Sequence, residues 1–498
     1  MTIEELIDKL YSQSGNPYLG YRTFILNLIR SILEKKSTPI RIPPYGWLLT
    51  KDGIEEIQET TFIRTRSSIE NLSTERFWER TYQRKKDFFD ENHVKTFLII
   101  PMRPYSNESF EKFVEVGKKY FTDLNIRIWD SNKINDILKK YDQEAKEIAN
   151  QLVTLKLKDA IDEGIDSDWK SKRDQRISDL KEIYKNGTLS LLLGAGVSCS
   201  AGMPDWNTLL NSLFVSFLSN EFNSNNQLSE SDIQQIVNRL NEINGQSGLI
   251  LARYLKIALE NNSQEAKNYA NKITTNLYKL RDKNQDESSD LIKSIVNMCM
   301  PLRRGAKIKS VITYNFDNLL EKELNKSHIH NHSIYSDDVN LDPDKLPIYH
   351  VHGFLPEDRS NYKNIDKSTL VFSEDGYHKI YSDAYHWSNL IQLTNLKENS
   401  CLLIGLSMTD PNLRRLLEIA ARNIDKPKHF VFMKRLSNEK FIYKDGKKII
   451  DNDSGASLFL EKHHSLNELT MRELGLSVIW YTDYDEIPKI LNEITAVH

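Results

Sequence analysis

Leu191-Leu192-Leu193-Gly194-Ala195-Gly196-Val197-Ser198-Cys199-Ser200-Ala201-Gly202-Met203-Pro204-Asp205-Trp206 is the stretch that decides the fold. An apolar, strand-like run passes straight into Gly-x-Gly and then into small residues. This is how a nucleotide-binding fold opens a phosphate loop. The first glycine permits a tight turn, and the second lets the backbone approach a pyrophosphate. The helix that follows presents its N–H groups to the anion. A lone Gly-x-Gly is weak evidence, but Ser-x-x-Ala-Gly-Met-Pro-Asp-Trp extends this one.

Downstream, short apolar runs recur between helical patterns. Leu189–Leu193, Ile308–Thr313, Ile348–Val351, Leu370–Phe372, Cys401–Gly405, His429–Met433 and Ser477–Tyr481 are the predicted strands. Apolar strands alternating with helices predict a doubly wound, parallel, Rossmann-like α/β sheet. Between the first two lies a long insertion, residues 207–304, with amphipathic patterns such as Asp232–Ile243 and Leu249–Leu259. We divide the chain into a small α/β domain (1–141), a charged helical linker (142–187) and a larger α/β domain (188–498).

Three further motifs stand at the ends of predicted strands, the edge where open α/β sheets bind ligands. Val311-Ile-Thr-Tyr-Asn315-Phe-Asp317 delivers Asn315 and Asp317 two residues apart, so both can face one side. A pair capping the next helix is the competing reading. Tyr349-His350-Val351-His352-Gly353 offers two histidines, groups that titrate near neutral pH and can act as bases. Leu402-Leu-Ile-Gly405-Leu-Ser407-Met-Thr-Asp410-Pro411 places a glycine turn and a hydroxyl before a helix. Asp410 suits either an N-cap or a ligand contact.

In this order the motifs resemble the sirtuin (SIR2) family, whose opening reads GAGxSxxAGIPDF. Residues 311–317 resemble the sirtuin TQNID motif, and more closely the TxNxD form of bacterial SIR2-like defence proteins. His352-Gly353 resembles the catalytic His-Gly, and the Gly405–Ser407 segment the GTS motif. The resemblance implies catalytic roles for Asn315, at the reacting ribose or its water, and for His352, while His350 is left structural. It implies NAD binding by Gly194, Ala195, Gly196, Ser198, Asp205, Trp206, Asp317, Gly405 and Ser407, with Asp317 on the nicotinamide carboxamide.

The chain departs from the family in two ways. Sirtuin deacylases carry a four-cysteine zinc ribbon between the His-Gly and GTS motifs, and here that interval holds Cys401 alone. The arginine of the family's PDFR string is Asn207. An acyl-lysine peptide is therefore a poor substrate, and no zinc or other cofactor is expected beyond NAD as substrate. What remains is hydrolysis of the nicotinamide–ribose bond to nicotinamide and ADP-ribose, through an oxocarbenium-like state. The resemblance further implies an anti-phage defence effector that depletes NAD in abortive infection. Such an effector needs a switch: a homo-oligomer, a partner such as an ATPase, or a phage-derived trigger. The competing readings are a protein deacylase or ADP-ribosyltransferase, which would need an acceptor, and a non-enzymatic NAD or ADP-ribose sensor.

The first 141 residues follow an order of elements that weakly resembles the PD-(D/E)xK nuclease fold. Asp52, Glu55 and Glu56 are its acids, but the expected Glu-x-Lys strand reads Arg64-Thr65-Arg66. Arginine offers only donors and cannot bind a divalent cation. A degenerate module for binding or assembly, or an unrelated α/β domain, fits better than an active nuclease. The basic run Arg80–Lys86 leaves nucleic-acid contact open beside the reading of a solvated helix face.

Composition sets the outer limits. A chain of 498 residues needs more than one core. Its 39% hydrophobic and 28% charged residues fit a globular protein, and a net charge of −3 gives no global pull toward nucleic acid. No stretch approaches the roughly 20 apolar residues of a membrane span. The acidic start Met1-Thr-Ile-Glu-Glu lacks the features of a signal peptide, so a cytoplasmic location is expected. The three cysteines, Cys199, Cys299 and Cys401, form no CxxC pair.

Overall fold

A computed structural model describes residues 2–496 apart from 14–15, 37, 39, 42–46, 71–73, 166–167, 303–304, 338–341, 373, 423–425 and, but for Asp232, Gln235, Arg239 and Ala252, 224–264. The insertion helices expected at 232–243 and 249–259 lie outside the described residues. The chain forms two units. One comprises Met1–Lys172, Glu418–Lys428 and Leu436–Ser477, and the other Arg173–Leu417, His429–Arg435 and Val478–His498.

The first unit is built on strands β1 (Ile40–Arg41), β2 (Trp47–Thr50), β3 (Thr61–Arg66), β4 (Thr96–Pro101) and β5 (Asn125–Ile128), in that order across one sheet. β1–β2 and β2–β3 pair antiparallel, and β3–β4 and β4–β5 parallel. Neighbouring residues of a strand point to opposite faces. Ile63 and Leu98 accordingly join an aliphatic core with Phe24, Ile25 and Leu28 of the helix Pro17–Lys35. Phe62 and Phe97 join an aromatic core with Trp47, Phe77, Trp78 and Phe113 on the other face. Two of the acids singled out here, Glu55 and Glu56, are tied to lysines. Burial works against the charge of Glu55, but hydrogen bonds from Lys140, Lys36 and Tyr141 outweigh it and hold the carboxyl down at about 2. Glu56 lies 2.7 Å from Lys133. Arg64 and Arg66 stand 5.5 and 4.5 Å from the centroid of the Phe77 ring.

The second unit contains β6 (Leu189–Leu193), β7 (Ile308–Thr313), β8 (Asn331–Ile334), β9 (Leu346–His350), β10 (Ser400–Ile404), β11 (His429–Lys434) and a last strand, Leu476–Tyr481. Across the seven-stranded sheet the order is 476–481, β11, β10, β6, β7, β9, β8. The pairings from β8 through β11 are all parallel. β6 is buried along its whole length, as a central strand covered on both faces must be. The helices Asp290–Cys299 and Glu486–Thr495 bury Ile292, Ile295, Ile487 and Leu491 in the same core as Leu191 and Val311.

Two expectations change. Leu370–Phe372 is not a strand, although Val371 and Phe372 are buried and the Val371 N–H donates to the carbonyl of His352 at 2.8 Å. The segment packs by its side chains and does not pair as a ladder strand. Conversely, β8 pairs with β9 at the sheet edge. Its sequence, Asn-His-Ser-Ile, is short and polar because an edge strand is half-solvated, so it carries no apolar signal.

Chain order places the site. From β6 the chain passes to β7 on one side, then to the edge strand β8, and back to β9 between β7 and β8. It then crosses back to β10 on the other side of β6 and continues outward to β11. The strand order reverses at β6, and ligands of open sheets bind at such a switch point, beyond the carboxyl ends of the strands.

Candidate functional site

The loops leaving β6 and β10 meet at this switch point backbone to backbone. The Gly194 N–H donates to the carbonyl of Ile404, and the Gly196 N–H to that of Gly405, both at 2.9 Å. A Cβ on Gly194 would sit 2.6 Å from the Gly405 oxygen, and one on Gly196 2.8 Å from the Gly405 Cα. Gly405 has φ +69°, and its own Cβ would sit 2.7 Å from the Val197 nitrogen. Gly194 itself is extended, with φ −115°. These glycines are thus required by loop-on-loop packing as well as by any phosphate, and the Gly196 amide is committed within the protein.

A cavity of about 1570 Å³ opens beside the paired loops. Pockets for drug-sized ligands run to about 300–1,000 Å³, so this one has room for a dinucleotide. Of the residues singled out in the sequence, Ala195, Gly196, Asp205, Trp206, His352, Gly405 and Ser407 line it. Gly194, Ser198, Asn315 and Asp317 do not; they form the layer behind. The Asn315 side-chain amide donates to the Gly194 carbonyl at 3.0 Å, holding the end of β7 to the glycine loop. Asp317 is buried, which pushes its carboxyl above the usual range. Hydrogen bonds from the Ser198 hydroxyl and the Leu319 N–H oppose that rise. Asp205 accepts from the Thr208 N–H at 2.8 Å and caps the helix that begins at Trp206. The Trp206 ring packs on Phe372 at 4.7 Å. Ser407 and Thr409 share a hydroxyl–hydroxyl bond of 2.6 Å.

The two histidines of the His-x-His-Gly motif have different surroundings. His350 is 1% exposed; its Nε2 is 2.6 Å from Glu321, and its Nδ1 faces the Asn315 carbonyl at 3.3 Å. Both nitrogens therefore serve the fold. His352 lies in the cavity wall, with the edge of its ring system toward Tyr314 (4.7 Å) and Tyr377 (5.7 Å). Its Nε2 is buried, has no hydrogen-bond partner among the described residues, and lies 3.5 Å from Asp410 Oδ2. Burial lowers the His352 pKa, and the nearby carboxylate partly offsets this. Gly353 has φ +105°, and a Cβ there would press on Leu370 at 2.7 Å. Tyr314, where sirtuins have glutamine, donates its hydroxyl to Gln392. Its deprotonation is pushed far up by burial, so it remains neutral.

Tyr377 is the functional candidate that sequence reasoning missed. It sits on the helix Glu374–Ser382, donates to Asp410 Oδ2 at 2.6 Å, and lines the cavity. No local pattern marks it, because only the folding of residues 371–382 over the strand ends brings it to His352. Phe432, Tyr481 and Tyr484 complete the wall on the far side of β10. Cys199 also lines the cavity, with its thiol pushed up to about 11, mainly by burial.

Chemically, the arrangement offers a neutral, buried base beside a carboxylate, in a cavity walled by aromatic rings and closed by a glycine loop. Residues 309–450 match the family model described as a SIR2-like domain. A curated relative, the NAD(+) hydrolase ThsA of Enterococcus faecium, is 23% identical over 325 residues, which is 64% of this chain and 57% of that protein. The chain thus spans little more than half the length of this relative. The parallel sheet, the switch-point cavity and the His352-Gly353 turn accompany this match, in which residues 309–450 are similar to a SIR2-like domain.

Proposed function

We propose that this chain hydrolyses NAD+ at the nicotinamide–ribose bond, giving nicotinamide and ADP-ribose. The observation that carries the reading is the orphaned, buried His352 Nε2 in a dinucleotide-sized cavity at the switch point. A buried polar atom without a partner costs stability, so a ligand that supplies the missing bond is favoured. The name of the Enterococcus faecium relative points to the same reaction.

In this reading the loops 194–206 and 405–407 hold the dinucleotide, and His352 takes the proton of the attacking water. Asn315 fixes the loop geometry through Gly194 and, through that loop, the position of the reacting ribose. NAD is substrate, with no zinc. Hydrolysis in place of deacylation is supported by the lone cysteine between His352 and Gly405. A role as an NAD-depleting anti-phage effector rests on the likeness of residues 311–317 to bacterial SIR2-like defence proteins. It requires a control step, by self-assembly or by a partner, in which the module at 1–141 would take part. No helix among the described residues is long and apolar enough to cross a membrane.

The test is turnover of NAD+ by the purified full-length protein, read as nicotinamide and ADP-ribose. Both Asn315→Ala and His352→Ala are expected to lower kcat, His352→Ala at least 100-fold, the lower range for removal of a catalytic acid–base group. Rates within a few-fold of the parent in both variants would remove the assignment.

A further inference from the structure

Asp410 does more than begin a helix. It closes the loop after β10, immediately before the helix Pro411–Ala421. One oxygen, Oδ1, accepts the Leu413 N–H at 2.7 Å, as an N-cap does. Capping uses only that oxygen. The other, Oδ2, accepts the Tyr377 hydroxyl at 2.6 Å and stands 3.5 Å from the unpartnered His352 Nε2. Burial and the adjoining carboxylate push the Tyr377 hydroxyl to a higher pKa, so it stays a donor. Among the described residues no lysine or arginine pairs with Asp410, and its side chain is only 15% exposed while lining the cavity. A largely buried carboxylate with neutral donors, and with no lysine or arginine paired to it among the described residues, is suited to a positive charge that the ligand brings or develops.

We propose that Asp410 is a catalytic residue, whose Oδ2 faces the reacting ribose beside His352 and stabilises the cation that forms there. This rests on the hydrolase reading above. The C1′–N bond breaks with its electron pair passing to the pyridinium nitrogen, and neutral nicotinamide leaves. Positive charge spreads over C1′ and the ring oxygen, where Asp410 opposes it. Water adds to C1′ and gives a proton to His352, which releases it to solvent. The balance is NAD+ and water to nicotinamide, ADP-ribose and one proton. Tyr377 acts through Asp410, holding the carboxylate in place.

Asp410→Asn separates this role from capping, because asparagine caps a helix as well as aspartate. In the full-length protein we expect kcat for NAD+ to fall at least 100-fold, KM to change less than about threefold, and the melting temperature to stay within about 2 °C. Two ligands give a readout independent of turnover. ADP-ribose, neutral at C1′, should bind parent and variant alike. An ADP-ribose analogue with a protonated pyrrolidine nitrogen in place of the ring oxygen should bind the variant at least 30-fold more weakly. An Asp410→Asn enzyme with kcat within fivefold of the parent, beside an inactive His352→Ala, would overturn the role of Asp410 alone. Equal binding of the cationic analogue to both proteins would do the same. A parent protein that binds neither NAD+ nor ADP-ribose would overturn the hydrolase reading and this role with it.

Discussion

At the residue scale the account turns on His352. Its ring faces Tyr314, Tyr377 and Asp410. The two tyrosines stay neutral, since burial raises both, so among the described residues the charge that acts on the ring is the Asp410 carboxylate. Burial disfavours imidazolium more than Asp410 favours it, and the net direction is down from the ordinary value of about 6.5. A base must be unprotonated to act, and a lowered pKa keeps it so further into acid. The acid limb of kcat/KM for NAD+ should therefore lie below pH 6.5, and it should move lower still in Asp410→Asn, which removes the opposing charge. A limb at or above pH 7 in the parent, measured under buffers of constant ionic strength, would contradict the environment described for this ring. Much of this residue's setting was legible beforehand. The resemblance of His352-Gly353 to the sirtuin His-Gly singled out His352, and Asp-Pro marked Asp410 as either cap or contact; one of its oxygens caps the helix and the other meets Tyr377 and His352. Tyr377 was not legible, because its proximity arises from a fold-back with no local pattern.

At the element scale, the helix Trp387–Glu398 docks on β6 and β7 through a buried polar cluster. Asn395 Oδ1 accepts the hydroxyls of Ser190 (2.9 Å) and Ser310 (2.7 Å), and its amide donates to the Ile391 carbonyl at 3.0 Å. Replacing Asn395 with leucine removes the shared acceptor; the Ser310 hydroxyl can still donate to Ser190 Oγ at 3.1 Å, which leaves one buried hydroxyl without an acceptor, worth about 1–3 kcal/mol. We expect Asn395→Leu to lose roughly 1–3 kcal/mol in denaturant unfolding. The accompanying Ser190→Ala/Ser310→Ala background should recover most of the loss. A single variant as stable as the parent would show that the cluster does not anchor the helix. Apolar runs made the central strands readable, whereas this cluster appears in the sequence only as scattered Ser and Asn. β8 and 370–372 mark the limit from both sides: a polar edge strand gives no apolar signal, and an apolar segment can be buried without pairing. The glycines were read as turn and phosphate-approach residues. Their contacts with Gly405 require long-range packing that no local window contains.

At the scale of the whole molecule, the seven-stranded sheet fixes one switch point, and the chemistry collects there because β6, β7, β9 and β10 all end at it. The order of motifs along the chain made that convergence readable. The five-stranded unit was readable as α/β from its runs, and its acids were located. What the sequence could not express is that Glu55 and Glu56 pair with lysines. The central claim is that water, rather than a protein acceptor, takes the ribose. The most direct measurement is NAD+ turnover by the full-length protein alone in ¹⁸O-labelled water, with no acyl peptide or acceptor protein present. The account predicts equimolar nicotinamide and ADP-ribose, one ¹⁸O in each ADP-ribose, and loss of both products in His352→Ala. Nicotinamide release that appears only when an acyl peptide or acceptor protein is added, with no labelled ADP-ribose, would contradict it.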